Sequence, residues 1–127
     1  KLPKNINAEY RGNVDRKYVT KKMREYNVFL FPTLSENYGH VIVEAMQAGL
    51  IPIISDQTPW VNLDRENAGW DIKLSDKGSY VSIVENLCSY TNDEFLDLSD
   101  SVISYIERRI DTNFLKESYT NLFETIK

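Results

Sequence analysis

The stretch that most limits what this chain can fold into runs from Asn27 to Ser55. It opens with Asn27-Val28-Phe29-Leu30-Phe31, a short apolar run rich in branched and aromatic residues and closed by Pro32. Such a run reads as a buried strand that stops where proline removes a backbone donor. A polar loop with Gly39 follows, and then Val41, Ile42, Ala45, Met46 and Gly49 recur at helical spacing, which predicts a helix beginning near Gly39 or His40. Leu50-Ile51-Pro52-Ile53-Ile54-Ser55 reads as a second buried strand. Strand, helix and strand together make a crossover unit with parallel strands, and in open sheets of this kind ligands bind in the crevice beyond the strands' carboxyl ends.

Two carboxylates sit at that crevice. Glu36 falls in the loop and Glu44 in the helix, eight positions on. A helix start offers unpaired N–H groups and the positive end of the macrodipole, so the backbone around Tyr38, Gly39, His40 and Val41 is suited to cradle a phosphate. Glu44 lies ~7 Å along the helix axis at 1.5 Å per residue, which brings its carboxylate to a group one sugar ring from that phosphate. Carboxylates flanking a phosphate repel it, so their natural partners are hydroxyls on either side of it. A sugar nucleotide carries that pattern of ribose hydroxyls, diphosphate and sugar hydroxyls.

At these residues the sequence resembles the retaining glycosyltransferases of family 4, enzymes with two Rossmann-like domains (the GT-B fold). The matching motif is a glutamate, seven residues and a second glutamate, here Pro32-Thr33-Leu34-Ser35-Glu36-Asn37-Tyr38-Gly39 followed by Glu44-Ala45-Met46-Gln47-Ala48-Gly49. Tyr10-Arg11-Gly12-Asn13-Val14 looks like the family's short strand ending in glycine, Pro52 through Asp56 like its next strand, and Thr58-Pro59-Trp60 through Gly69-Trp70 like a variant of the following loop. The resemblance implies an α/β fold, the Rossmann-like open parallel sheet of a C-terminal donor-binding domain, with a helical tail. It implies that Glu36 meets the donor sugar as the catalytic carboxylate, that Glu44 holds the ribose, and that Asn37, Tyr38, Gly39, His40 and Val41 lie near the diphosphate. Thr58 is a further candidate for the donor site, although a proline-anchored turn explains it equally well.

On this reading residues 1–127 are a fragment of the donor domain. The N-terminal acceptor domain, the first strands, their glycine-rich loop and the basic residues that relatives place against the diphosphate lie outside it, and the fragment alone is expected to be inactive. The expected partners are a nucleoside diphosphate sugar, a glycan or lipid-linked acceptor and the N-terminal domain of the same chain. No cofactor or metal is expected: one histidine and one cysteine far apart cannot build a zinc site. Two positions depart from the family pattern: His40 stands where a small or apolar residue is more usual, and the loop after Asp56 lacks a double glycine and glutamate.

Composition narrows the classes. A chain of 127 residues with 42% hydrophobic residues suits one domain with a core. The net charge of −4 leaves no basic stripe for a nucleic-acid backbone. No apolar run approaches the ~20 residues that span a bilayer, and the expected location is cytoplasmic or at the inner face of the membrane through peripheral contact. Cys88 falls in an apolar helical pattern and reads as a buried structural thiol.

The remainder reads as scaffold. Asp15 is placed to cap a helix over 16–26 with Val19, Met23 and Tyr26 inward. Gly69 to Ile72 reads as a short strand, and the turn at 76–79 starts a helix carrying Val81, Val84, Leu87 and Cys88 inward. Thr91 to Glu94 has capping-box spacing, so a helix should run to about Ile110 and bury Leu96, Ile103, Ile106 and Ile110, with a last helix over about 113–125. Each site residue also has an ordinary reading: Gly39 as a turn glycine, His40 as a helix-start histidine, Tyr38 as a loop aromatic, Trp60 and Trp70 as packing residues. The competing function is a non-catalytic nucleotide-binding or interaction module on the same sheet.

Overall fold

The computed structural model describes residues 6–35 and 40–110. A 3₁₀ turn at Arg16–Tyr18 leads into helix α1 (Val19–Met23), followed by β1 (Val28–Phe31), α2 (His40–Gln47), β2 (Ile51–Ser55), β3 (Trp70–Ile72), α3 (Lys77–Cys88) and α4 (Asn92–Ile110). The strands form one parallel sheet in the order β1-β2-β3. Val28 stands beside Ile51 and Phe31 beside Ile54, while Ile53 pairs with Trp70 and Ser55 with Ile72. The chain thus adopts the expected Rossmann-like α/β architecture, a parallel sheet flanked by helices.

The turns that join these elements follow from single residues. α2 ends in a Schellman arrangement, with Gly49 at φ +87°, its N–H on the Met46 carbonyl and the Leu50 N–H on the Ala45 carbonyl. This turn delivers Leu50 straight into β2. Pro52 sits in the central strand without breaking it. The Ile51 N–H bonds toward the β1 side through Asn27, so the proline nitrogen faces β3, where paired residues begin only at Ile53. Gly69, at φ +126°, passes so close to Pro52 that a Cβ there would lie 2.4 Å from the proline carbonyl oxygen. Only glycine allows that approach.

The core gathers Ile42, Val43 and Met46 of α2, all of β2, Trp60 and Leu63 of the following loop, and Leu98, Val102, Tyr105 and Ile106 of α4. α4 begins as anticipated: the Thr91 hydroxyl accepts from the Glu94 N–H at 3.2 Å and the Glu94 carboxylate accepts from the Thr91 N–H at 3.0 Å. Ser99 fixes its rotation by donating to the Gly49 carbonyl at 2.7 Å.

Five expectations are corrected. Residues 10–14 form no strand; they lie exposed, with Gly12 at φ +67°. The first helix is shorter than 16–26, because the chain starts as a 3₁₀ turn, ends α1 at Met23 and leaves Tyr26 half exposed. α3 buries Leu87 but exposes Val81, Val84 and Cys88, so the thiol is not a core residue. Leu30 of β1 is 55% exposed and, with Val81 and Val84, lines an open apolar groove of 690 Å³ instead of a closed core. α4 turns Leu96 outward at 61% exposure, since the face it packs on the core runs through Phe95, Leu98, Val102, Tyr105 and Ile106. The helix expected over 113–125 lies outside the described residues.

Candidate functional site

The carboxyl ends of the strands are tied together by a few side chains. Pro32 ends β1, and the chain bends at once, the Thr33 N–H reaching the Phe31 carbonyl at 2.9 Å. Ser55, fully buried at the end of β2, donates its hydroxyl to the Thr33 carbonyl and accepts the Gln57 N–H at 3.3 Å. One hydroxyl therefore fastens the loop after β1 to the loop after β2. At the third strand the Asp56 N–H bonds the Ile72 carbonyl at 3.1 Å, and the Tyr80 hydroxyl donates to the same oxygen at 3.1 Å. Burial, with the Asp56 carboxylate adding to it, pushes the Tyr80 hydroxyl above the usual phenol range, which keeps it a donor.

Glu36, Asn37, Tyr38 and Gly39 lie outside the described residues. His40 opens α2, with both ring nitrogens shielded from solvent. Val41 packs half-buried against the core. Glu44 stands one turn further along α2, its side chain 22% exposed. Its Oε1 accepts from a guanidinium nitrogen of Arg16 at 2.7 Å. Ile42, Val43, Ala45 and Met46 around it are buried, so the helix has a fixed rotation and the root of this side chain is set by packing.

Thr58 is buried and occupied with its own turn. Its hydroxyl accepts the Trp60 N–H at 3.0 Å and donates to the Trp60 carbonyl at 3.3 Å, which seats the Trp60 ring in the core. Trp60 meets Tyr105 edge-on at 6.4 Å, with the Arg109 guanidinium 5.8 Å above its ring, so it packs as expected. Sequence reasoning missed Ser55 and Arg16. A serine closing an otherwise apolar strand is a weak sign for the first, and nothing in the pattern marks the second, 28 positions from Glu44.

Among the described residues no group of three or more His, Cys, Asp or Glu is placed to hold a metal ion, and no helix is long and apolar enough to cross a membrane. The arrangement offers hydrogen-bond acceptors and a helix start beyond a parallel sheet, which is chemistry for holding a polyhydroxylated, anionic ligand.

Residues 1–88 match the family described as glycosyl transferases group 1. The chain belongs to that family. The match covers the 3₁₀ turn, the whole sheet, α2 and α3, and thus both Arg16 and Glu44. Over 87 residues the chain is 32% identical to the GDP-mannose:cellobiosyl-diphosphopolyprenol alpha-mannosyltransferase of Xanthomonas oryzae pv. oryzae (strain PXO99A), and equally to that of Xanthomonas campestris. Each alignment takes in 68% of this group 1 chain and 23% of the relative, so the chain matches about a quarter of their length. No solved structure gives a significant match.

Proposed function

We propose that this chain is the donor-binding portion of a retaining glycosyltransferase, which moves a sugar from a nucleoside diphosphate sugar to a glycan or lipid-linked acceptor. The observation that carries the reading is Glu44: a half-buried carboxylate on a helix of fixed rotation, within the part of the chain that matches the family. Desolvating a carboxylate is unfavourable unless it is partnered, and among the described residues Oε1 alone is engaged, by Arg16. A ribose hydroxyl donating to Oε2 completes the set. Glu36 orients the donor sugar and supports the positive charge growing at its anomeric carbon, while the backbone at Asn37 to Val41 meets the diphosphate. As the glycosidic bond to the diphosphate breaks, negative charge develops on the leaving group, and N–H donors aimed at it lower the barrier. The acceptor hydroxyl attacks from the face the diphosphate leaves and passes its proton to the departing phosphate oxygen, which retains the anomeric configuration without assigning Glu36 as a nucleophile. The chemistry proposed needs no metal, and the site of action is cytoplasmic or at the inner membrane face.

The names of the two relatives make GDP-mannose the first donor to try and a polyprenyl-diphosphate-linked glycan the first acceptor. The test is calorimetric titration of GDP, UDP, GDP-mannose and UDP-glucose into the full-length protein and its Glu44→Ala variant. Saturable binding of one nucleotide, weakened roughly tenfold or more by the substitution, is the expected result. Equal affinity in the two proteins removes Glu44 from the donor site. Binding of no nucleotide by the folded protein favours the non-catalytic module.

A further inference from the structure

We infer that Arg16 is a positioning residue for the donor site, acting through Glu44. This rests on the reading of Glu44 as a ribose contact and adds to it a residue from a different part of the chain. Arg16 opens the 3₁₀ turn before α1, and the turn is fixed from both ends. The Asp15 carboxylate caps it by accepting the Lys17 N–H at 3.2 Å, and the Tyr18 N–H bonds the Asp15 carbonyl at 2.8 Å. α1 packs against α2, so the root of the arginine side chain is held beside the helix that carries Glu44. From there the guanidinium reaches Oε1 at 2.7 Å.

The two partners differ in exposure, and that difference assigns the role. Arg16 is 83% exposed while Glu44 is 22% exposed. An arginine so open contributes little to folding through an ion pair, since solvent screens it and a long side chain must be ordered to make it. For Glu44 the contact does more. A carboxylate with three rotatable bonds and one free acceptor direction is poorly aimed, whereas one with Oε1 held by a charged donor presents Oε2 along a defined line. Among the described residues Arg16 is the partner that Oε1 has, and Oε2 has none. The pair is therefore arranged as a clamp with one jaw open. A ribose 2′- or 3′-hydroxyl donating to Oε2 meets an acceptor whose orientation has been fixed before binding, which lowers the entropy lost on association.

The experiment separates positioning from direct contact of Arg16 with the nucleotide. GDP and 2′-deoxy-GDP are titrated into the full-length protein and its Arg16→Ala, Arg16→Lys, Glu44→Ala and Arg16→Ala/Glu44→Ala variants, each checked for an unchanged melting temperature. The expected result is a roughly two- to fivefold loss of GDP affinity in Arg16→Ala, partial recovery in Arg16→Lys, and no further loss when Arg16→Ala is added to Glu44→Ala. The Arg16 effect should also shrink with 2′-deoxy-GDP, which a purely structural role would not produce. If Glu44→Ala weakens GDP but Arg16→Ala does nothing, or costs the same with and without Glu44, the positioning role is overturned while the donor-site reading stands. If Glu44→Ala leaves GDP affinity unchanged, the donor-site reading falls and the role of Arg16 falls with it.

Discussion

β1 and β2 lie side by side in the same parallel sheet, in register from Val28 and Ile51 to Phe31 and Ile54, and they are buried very differently. β2 is covered at all five positions, and even its proline and serine are inside. β1 has no fully buried residue, and its Leu30 faces the open groove with Val81 and Val84 of α3. β1 (Val-Phe-Leu-Phe) is the more apolar of the two, so composition does not explain the contrast. A central strand has a neighbour at each edge and helices against its faces; β1 pairs with β2 alone among the described residues. Position in the sheet decides which apolar strand becomes core.

The sharpest way to break the covered side is through β3. Gly69→Ala puts a Cβ against the Pro52 carbonyl at a backbone angle that side chains rarely adopt. We expect a loss of about 4 kcal/mol or more, enough to abolish cooperative folding, read by urea denaturation. Next in size is the direct comparison of the strands. Ile53→Ala, in the fully buried centre of β2, should cost about 2–5 kcal/mol, whereas Leu30→Ala should cost less than about 1 kcal/mol. Equal losses in the full-length protein would mean that the groove beside Leu30 is filled there. The smallest effect belongs to the open side. The Ser79 hydroxyl and then its N–H donate to Asp76 at the start of α3 and hold that carboxyl below its ordinary value of 3.8. The stabilisation is therefore present above the unfolded value and disappears as pH falls through the lower folded one. Asp76→Ala should melt earlier than the parent protein at neutral pH, and the difference should close only in strong acid; a gap that persists there would assign the cap to something other than the carboxylate charge.

What could be read in advance follows from the range of the interactions involved. β1, α2 and β2 were legible because each is coded by residues a few positions apart, as was the box formed by Thr91 and Glu94. α3 and α4 were placed correctly as helices, and Leu87, Ile106 and Ile110 do face the core, but part of each inward set was misjudged. An apolar pattern broad enough to include Leu96, or Val81 with Cys88, does not say which of its edges meets a neighbour. Of the candidate donor residues, Glu44 was recognisable by its spacing from Glu36 and by the small and apolar residues around it. Arg16 and Ser55 were not, because each acts on a residue 28 or 22 positions away that only the fold brings near.

The amino-acid sequence by itself determined the alternation of strand and helix, the parallel sense of the sheet and the family to which the chain belongs. Those are written in local periodicity, in proline and glycine and in a short motif. The tertiary structure alone decided that β2 and not β1 is core, that Cys88 is outside, that Thr58 is spent on its own turn, and that an exposed arginine takes hold of Glu44. Burial and pairing at a distance depend on which surfaces close over one another, and a local pattern of residues does not encode that.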